Sequence, residues 1–159
     1  RENAKRAEKI FDKKFLIETK DLILVHETVE QALSNHLFSI LDHIMNGKIE
    51  KNKVGGVHYY NPEYHKIVRD TKKPNKDGIW EAKISIKNYK NNKWIEKEEL
   101  STFFPKNWDT TTLCFKLKEA FVTKEKQNGG IYIGNTSCGI KIAFYFKGSK
   151  ILSVYPLYA

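Results

Sequence analysis

The apolar residues of this chain change their period once, and that change limits what the chain can fold into. Up to Gly47, residues Val29, Leu33, Leu37, Ile40, Leu41 and Ile44 recur at spacings of three and four and so share one helical face. From Gly55 onward the period falls to two. Trp80, Ala82, Ile84 and Ile86 alternate with Glu81, Lys83, Ser85 and Lys87, the pattern of a strand buried on one face. A one-sided helix and one-sided strands each need an apolar partner. Helices first and antiparallel strands after predict an α+β class.

The rest of the chain fills in this order. Residues 1–46 read as helical, with charges dominating before residue 21 and only Ile10, Phe11 and Phe15 forming a stripe; Gly47 ends the helix. Residues 54–157 read as mainly β. Asn88 to Lys93 is a turn, and a second strand is expected over Trp94 to Phe104, stopped by Pro105. Asp109 predicts the cap of an intervening helix over 110–123, with Leu113, Leu117, Ala120 and Phe121 on its buried face. A meander follows, broken at Gly129-Gly130, Ser137-Cys138-Gly139 and Gly148-Ser149. Ile140, Ile142, Phe144 and Phe146 face one way. In the last run Ile151, Ser153 and Tyr155 are expected on one face, Leu152 and Val154 on the other. A length of 159 residues suits one domain.

Charge narrows the partners. The chain has 28 Lys and Arg against 19 Asp and Glu, a net charge of +9, which favours a polyanion over a small neutral ligand. RNA, DNA, an anionic membrane surface and an acidic protein stay open on charge alone. No apolar run is long enough to span a bilayer, so no membrane anchor is expected. The chain starts at Arg1 in a charged segment without a signal-peptide pattern, the expectation for a piece of a longer protein. Two cysteines, Cys114 and Cys138, are too few for a disulfide framework, and Cys114 falls on an apolar helical face. No Cys or His pairs show zinc spacing, so no metal site is assigned.

Five histidines are present: His26, His36, His43, His58 and His65. One imidazole taken alone proves nothing about catalysis. Five segments read together are more specific: Gly55 to His58 (Gly-Gly-Val-His), Ile79 to Lys83 (Ile-Trp-Glu-Ala-Lys), Ser101 to Trp108 (Ser-Thr-Phe-Phe-Pro-Lys-Asn-Trp), Gly134 to Ile142 (Gly-Asn-Thr-Ser-Cys-Gly-Ile-Lys-Ile) and Ser153 to Pro156 (Ser-Val-Tyr-Pro). In this order they resemble the bacterial EndoU family over about residues 37–157. The resemblance implies an EndoU/RNase A-like arrangement and an endoribonuclease that prefers uridine. It also implies a C-terminal toxin of a contact-dependent or secreted polymorphic system, delivered by a producer and acting in the target-cell cytoplasm.

The same resemblance assigns the site. The family's two histidines lie about fifteen residues apart with a Gly-rich approach to the second, which matches His43 and His58. Its lysine precedes a Ser-Thr pair on the same strand, which matches Lys97; Lys83 and Lys106 lie in equally recognisable segments and stay open as alternatives. Ser101 is expected to contact substrate or to bond within the sheet. Ser153 and Tyr155 match the family's hydroxyl and Tyr-Pro positions and are expected to hold the nucleobase by hydrogen bond and stacking.

RNA explains why such a set suffices. Its 2′-hydroxyl is a nucleophile already placed beside the phosphate, so the protein supplies only proton transfer and charge stabilisation. Two imidazoles serve as base and acid and a lysine stabilises the phosphoryl oxygens. The preferred order makes His43 the base and His58 the acid, although either order fits the sequence. The expected products are a 2′,3′-cyclic phosphate and a 5′-hydroxyl. No cofactor is expected, with manganese stimulation left open because some relatives in the family show it. The implied partners are RNA, with tRNA the reasonable target, and a cognate immunity protein, for which an acidic surface would complement the +9 charge. The competing reading is a non-catalytic basic RNA-binding or protein-interaction module, an inactivated toxin.

Overall fold

The computed structural model describes residues 37–159 apart from 89 and 149. The helical expectation for residues 1–36, His26 and His36 lie outside the described residues. Helix α1, Leu37–Met45, is the part that falls inside, and it buries Ile40, Leu41, Ile44 and Met45. It ends where predicted, with the Asn46 and Gly47 amides both donating to the Asp42 carbonyl at 2.9 and 3.0 Å. A short hairpin, β1 (Lys48–Glu50) and β2 (Lys53–Gly55), follows. It was not anticipated, since three-residue strands are too short to show a period.

Strands β3 (His65–Lys72), β4 (Trp80–Asn88), β5 (Lys93–Glu96) and β6 (Ser101–Phe103) form the first antiparallel sheet. β4 carries the predicted alternation and buries Trp80, Ala82, Ile84 and Ile86 beside Val57 and Phe103. Trp80 and Phe103 stack with ring centroids 4.3 Å apart. The single strand expected over Trp94 to Phe104 is in fact two. β5 pairs with β4 at residues 85–88 and β6 pairs with it at residues 80–82, while residues 98–100 leave the sheet edge between them.

Helix α2, Thr110–Thr123, begins at the predicted cap, where Asp109 accepts the Thr112 amide at 2.7 Å. Its buried side, Leu113, Cys114, Leu117, Ala120 and Phe121, packs on the second sheet. That sheet runs in the order β10 (Lys150–Pro156), β9 (Lys141–Lys147), β8 (Ile131–Asn135) and β7 (Glu125–Lys126), all antiparallel. Helix and sheet come very close at Gly134, where a Cβ would lie 1.7 Å from the Ala120 carbonyl oxygen. The other side of the larger core is closed by α1, which packs against β10.

One expectation for β10 is corrected. A bulge at Leu152 places two residues of β10 against one of β9, since Ile151 pairs with Phe146 and Ser153 with the adjacent Tyr145. The extra residue flips the alternation. Ile151 therefore joins Val154 in the core, Leu152, expected beside Val154, is exposed at the bulge, and Ser153 and Tyr155 keep their shared face away from the core.

Candidate active site

The site is organised by the C-terminal end of α1. The last carbonyls of any helix lack partners within it and must find donors elsewhere. Here the His43 carbonyl accepts the Val57 amide at 2.9 Å, and the Ile44 carbonyl accepts the His58 and Tyr59 amides at 2.6 and 3.0 Å. Docking the 57–59 segment on the helix end brings His58 beside His43, with ring centroids 5.4 Å apart. The Gly-rich approach has a steric cause. Gly56 sits at φ +79° and a Cβ there would lie 2.4 Å from the His43 carbonyl oxygen, so the two backbones meet only without a side chain. Val57 follows at φ +71°, a strained conformation for a β-branched residue, held by its complete burial.

Lys97 arrives from the sheet edge. Its amide still bonds the Ile84 carbonyl at 2.9 Å, and the ladder resumes where Ser101 pairs with Ala82. Between these points the chain advances four residues against two on β4. An even excess preserves the alternation, so Lys97 and Ser101 face the same side although they do not share a strand. Lys97 Nζ donates to Ser101 Oγ and to the Gly56 carbonyl, both at 2.7 Å, and the lysine is only 5% exposed. The alternatives lie elsewhere: Lys83 Nζ reaches the Glu98 carbonyl from the opposite face of the sheet, and Lys106 Nζ sits 4.4 Å above the Trp80 ring.

β10 supplies the remaining residues. Ser153 Oγ lies 3.2 Å from His43 Nε2, and the Tyr155 ring centroid lies 5.8 Å from that of His58. All six residues expected from the sequence are thus drawn into one neighbourhood. A cleft of about 380 Å³ opens here, bordered by Gly56, His58, Lys97, Thr102, Ser153 and Tyr155, with Leu100 and Leu157 adding apolar wall. His43 is linked to the cleft through its contact with Ser153, which borders it. A larger groove of about 690 Å³ along α2 contains none of these residues.

The electrostatics follow from burial. His43 is pulled from 6.5 to about 4, first by loss of water and then by the Lys97 charge, with Asp42 opposing. His58 is held well below 6.5, by burial first and then by Lys97 and His43, against a carbonyl bond from Thr102. Lys97 falls to about 8 through burial and the Lys83 charge, with Glu99 opposing. Both imidazoles are therefore neutral near pH 7 and the lysine is mostly charged. His58 Nδ1 lies 2.7 Å from the Thr102 carbonyl oxygen, which can only accept, so the His58 proton sits on Nδ1 and Nε2 keeps its lone pair.

Two contributors were not visible in the sequence. Thr102 acts through its carbonyl, and a backbone atom leaves no trace in residue type. His65 is 1% exposed; its Nδ1 accepts the Asn61 amide at 2.9 Å and anchors the turn that follows His58. Nothing but its strand position could have marked it. Among the described residues no group of three or more His, Cys, Asp or Glu could hold a metal ion.

Paired imidazoles and a buried lysine beside one cleft can carry acid–base chemistry on an anion, and the chain belongs to the bacterial EndoU nuclease family, whose model matches residues 39–158. A protein of Bacillus cereus (strain ATCC 14579) named "Toxin" is similar, with 31% identity over 123 residues, covering 73% of this chain and 22% of that protein. The chain thus spans under a quarter of the length of the curated relative it matches. No solved structure matches.

Proposed function

We propose that this chain is the RNA-cleaving part of a toxin and that it cuts on the 3′ side of uridine by attack of the neighbouring 2′-hydroxyl. The observation that carries the reading is the pairing of two imidazoles, ring centroids 5.4 Å apart, with a buried lysine beside one cleft. The order of proton transfer is the reverse of the sequence expectation. His58 Nε2 has the free lone pair and takes the 2′-hydroxyl proton, because its Nδ1–H is committed to Thr102. O2′ then bonds to phosphorus as the bond to O5′ breaks. His43 gives O5′ its proton; it borders Asp42 and gains its charge when the substrate phosphate arrives, since a nearby anion raises an imidazole pKa. Lys97 spends two of its three N–H donors on Gly56 and Ser101 and aims the third at the phosphoryl oxygens.

Tyr155 offers a ring for the uracil and Ser153 a hydroxyl, while Ser101 mainly steers Lys97. Such an enzyme needs no metal, so cleavage persists in excess EDTA; loss of cutting that manganese restores would contradict this. The name of the similar protein supports a toxin and nothing finer. The family resemblance extends the proposal to release by a producer cell, action on tRNA in the target cytoplasm and neutralisation by an immunity protein, whose acidic surface would complement the +9 charge. The deciding experiment uses a short oligoribonucleotide with one uridine and its 2′-deoxyuridine counterpart. The first yields a 2′,3′-cyclic phosphate and a 5′-hydroxyl by mass spectrometry, and the second stays whole. Cutting at the deoxy site, or 5′-phosphate ends, rejects the mechanism. Failure to cut any RNA would favour the non-catalytic binding module.

A further inference from the structure

The first sheet has a second face that the cleft does not use. Its core side holds Trp80, Ala82, Ile84 and Ile86, and register places Lys83, Ser85 and Lys87 of β4 on the other side. Arg69 of β3 lies directly opposite Lys83, and Trp94 of β5 lies opposite Lys87. Lys66 of β3 completes the group, its Nζ 4.1 Å above the half-buried Trp94 ring. Acidic residues balance these cations only in part. Glu96 pairs with Lys83 at 3.9 Å, and Glu81 is engaged by Thr71 and Lys72. Lys66, Arg69 and Lys87 are left without an acidic partner among the described residues, so the face keeps an excess of positive charge that an anion can meet.

Two features say which polyanion. A half-buried indole covered by a lysine is a surface on which a base can stack by displacing the ammonium, which then meets the adjoining phosphate, an exchange suited to single-stranded nucleic acid. The face also runs into the cleft: Thr102, which borders it, pairs with Glu81 on this side, and Lys83 reaches the Glu98 carbonyl beside Lys97. From Lys83 to Lys87 is about 13 Å along the strand, room for a few nucleotides. We propose that this face is a second RNA-contact surface that takes the single strand leaving the cleft. The proposal rests on the RNA-cleaving reading above and predicts a preference for long substrates over short ones.

The test compares wild type with Trp94→Leu and with the double variant Lys66→Gln/Lys87→Gln, leaving Lys83 and Thr102 unchanged. Each is assayed on a uridine-containing tetranucleotide and on a 30-nucleotide single strand. Binding is read separately by fluorescence anisotropy on a 30-mer whose uridines are 2′-deoxy. On the long RNA, KM and Kd should rise at least about fivefold, the lower end of what base stacking contributes, with kcat unchanged. On the tetranucleotide nothing should change. The slope of log Kd against log salt should fall by roughly 1.4 in the double variant, about 0.7 for each charge removed. Unchanged binding and cleavage of the long RNA overturn the proposal, as does an equal loss on both substrates. Should wild type cut neither RNA while the variants still lose binding, the surface stands and the catalytic reading falls.

Discussion

At the scale of single residues the site is a matter of which atoms are already committed. His58 Nδ1, two protons of Lys97 and the His43 carbonyl are all engaged by the protein, and what remains free points to proton transfer and anion stabilisation. We expect His43→Ala and His58→Ala each to lower kcat by roughly 10²- to 10⁴-fold, the usual contribution of one acid–base group, and Lys97→Ala by roughly 10²- to 10³-fold, the usual loss on removing one anion-stabilising donor. Far-UV circular dichroism checks that the fold persists, and wild-type cleavage by either histidine variant with an intact spectrum would refute its role. The buried imidazoles also tie stability to pH. His43 and His65 are both drawn from 6.5 to about 4, chiefly by burial, so between those values the unfolded chain binds protons that the folded chain refuses. Their stabilisation is complete above pH 6.5 and is lost as pH falls toward 4, at up to about 1.4 kcal/mol per pH unit for each histidine. Urea midpoints at pH 7, 5.5 and 4.5 should fall in that order. The slope should shrink in His65→Asn, which keeps an acceptor for the Asn61 amide without a titrating ring; a slope unchanged in that variant would remove His65 from the account.

At the scale of elements, close backbone approach decides where substitution is tolerated. Gly134 lets β8 touch the last turn of α2, and an added methyl would meet the Ala120 carbonyl oxygen at 1.7 Å. Gly134→Ala should cost about 3 kcal/mol or more and lower the melting temperature sharply. Gly129→Ala, at φ +64° with nothing within 4 Å, should lose far less, and equal melting temperatures would show that helix and strand slide apart freely. These elements were legible in the sequence to different degrees. The Trp80 to Ile86 alternation and the Asp109 cap announce β4 and α2 because burial and capping act on neighbouring residues. Two interruptions were not announced. The excursion at residues 98–100 adds two residues and leaves Lys97 and Ser101 on one face, as a single unbroken strand would also have done. The bulge at Leu152 adds one residue and misplaces Ile151, while Ser153 and Tyr155, both beyond the bulge, keep their shared face. Whether an irregularity is odd or even decides which inferences survive it, and local composition does not encode that count. The site residues came from the family resemblance, since none of the five histidines is distinguished by its neighbours alone.

At the scale of the whole molecule the site is a meeting of distant segments. His43 comes from the end of α1, His58 from the loop docked on it, Lys97 and Ser101 from the sheet edge, and Ser153 and Tyr155 from β10. The contact between Ser153 and His43 closes 110 residues of chain. Contacts of such long range form late, because the entropy of closing the loop is lost before the contact returns anything. Helix signal should therefore return before catalysis when the denatured chain is diluted into buffer. Stopped-flow circular dichroism at 222 nm alongside a fluorogenic uridine substrate measures the lag, and simultaneous recovery would argue against it. The same ordering holds while the chain is being synthesised. Until β10 has paired with β9, the chain holds its histidines without a finished cleft, so a partly made copy of this nuclease is inert until that strand docks.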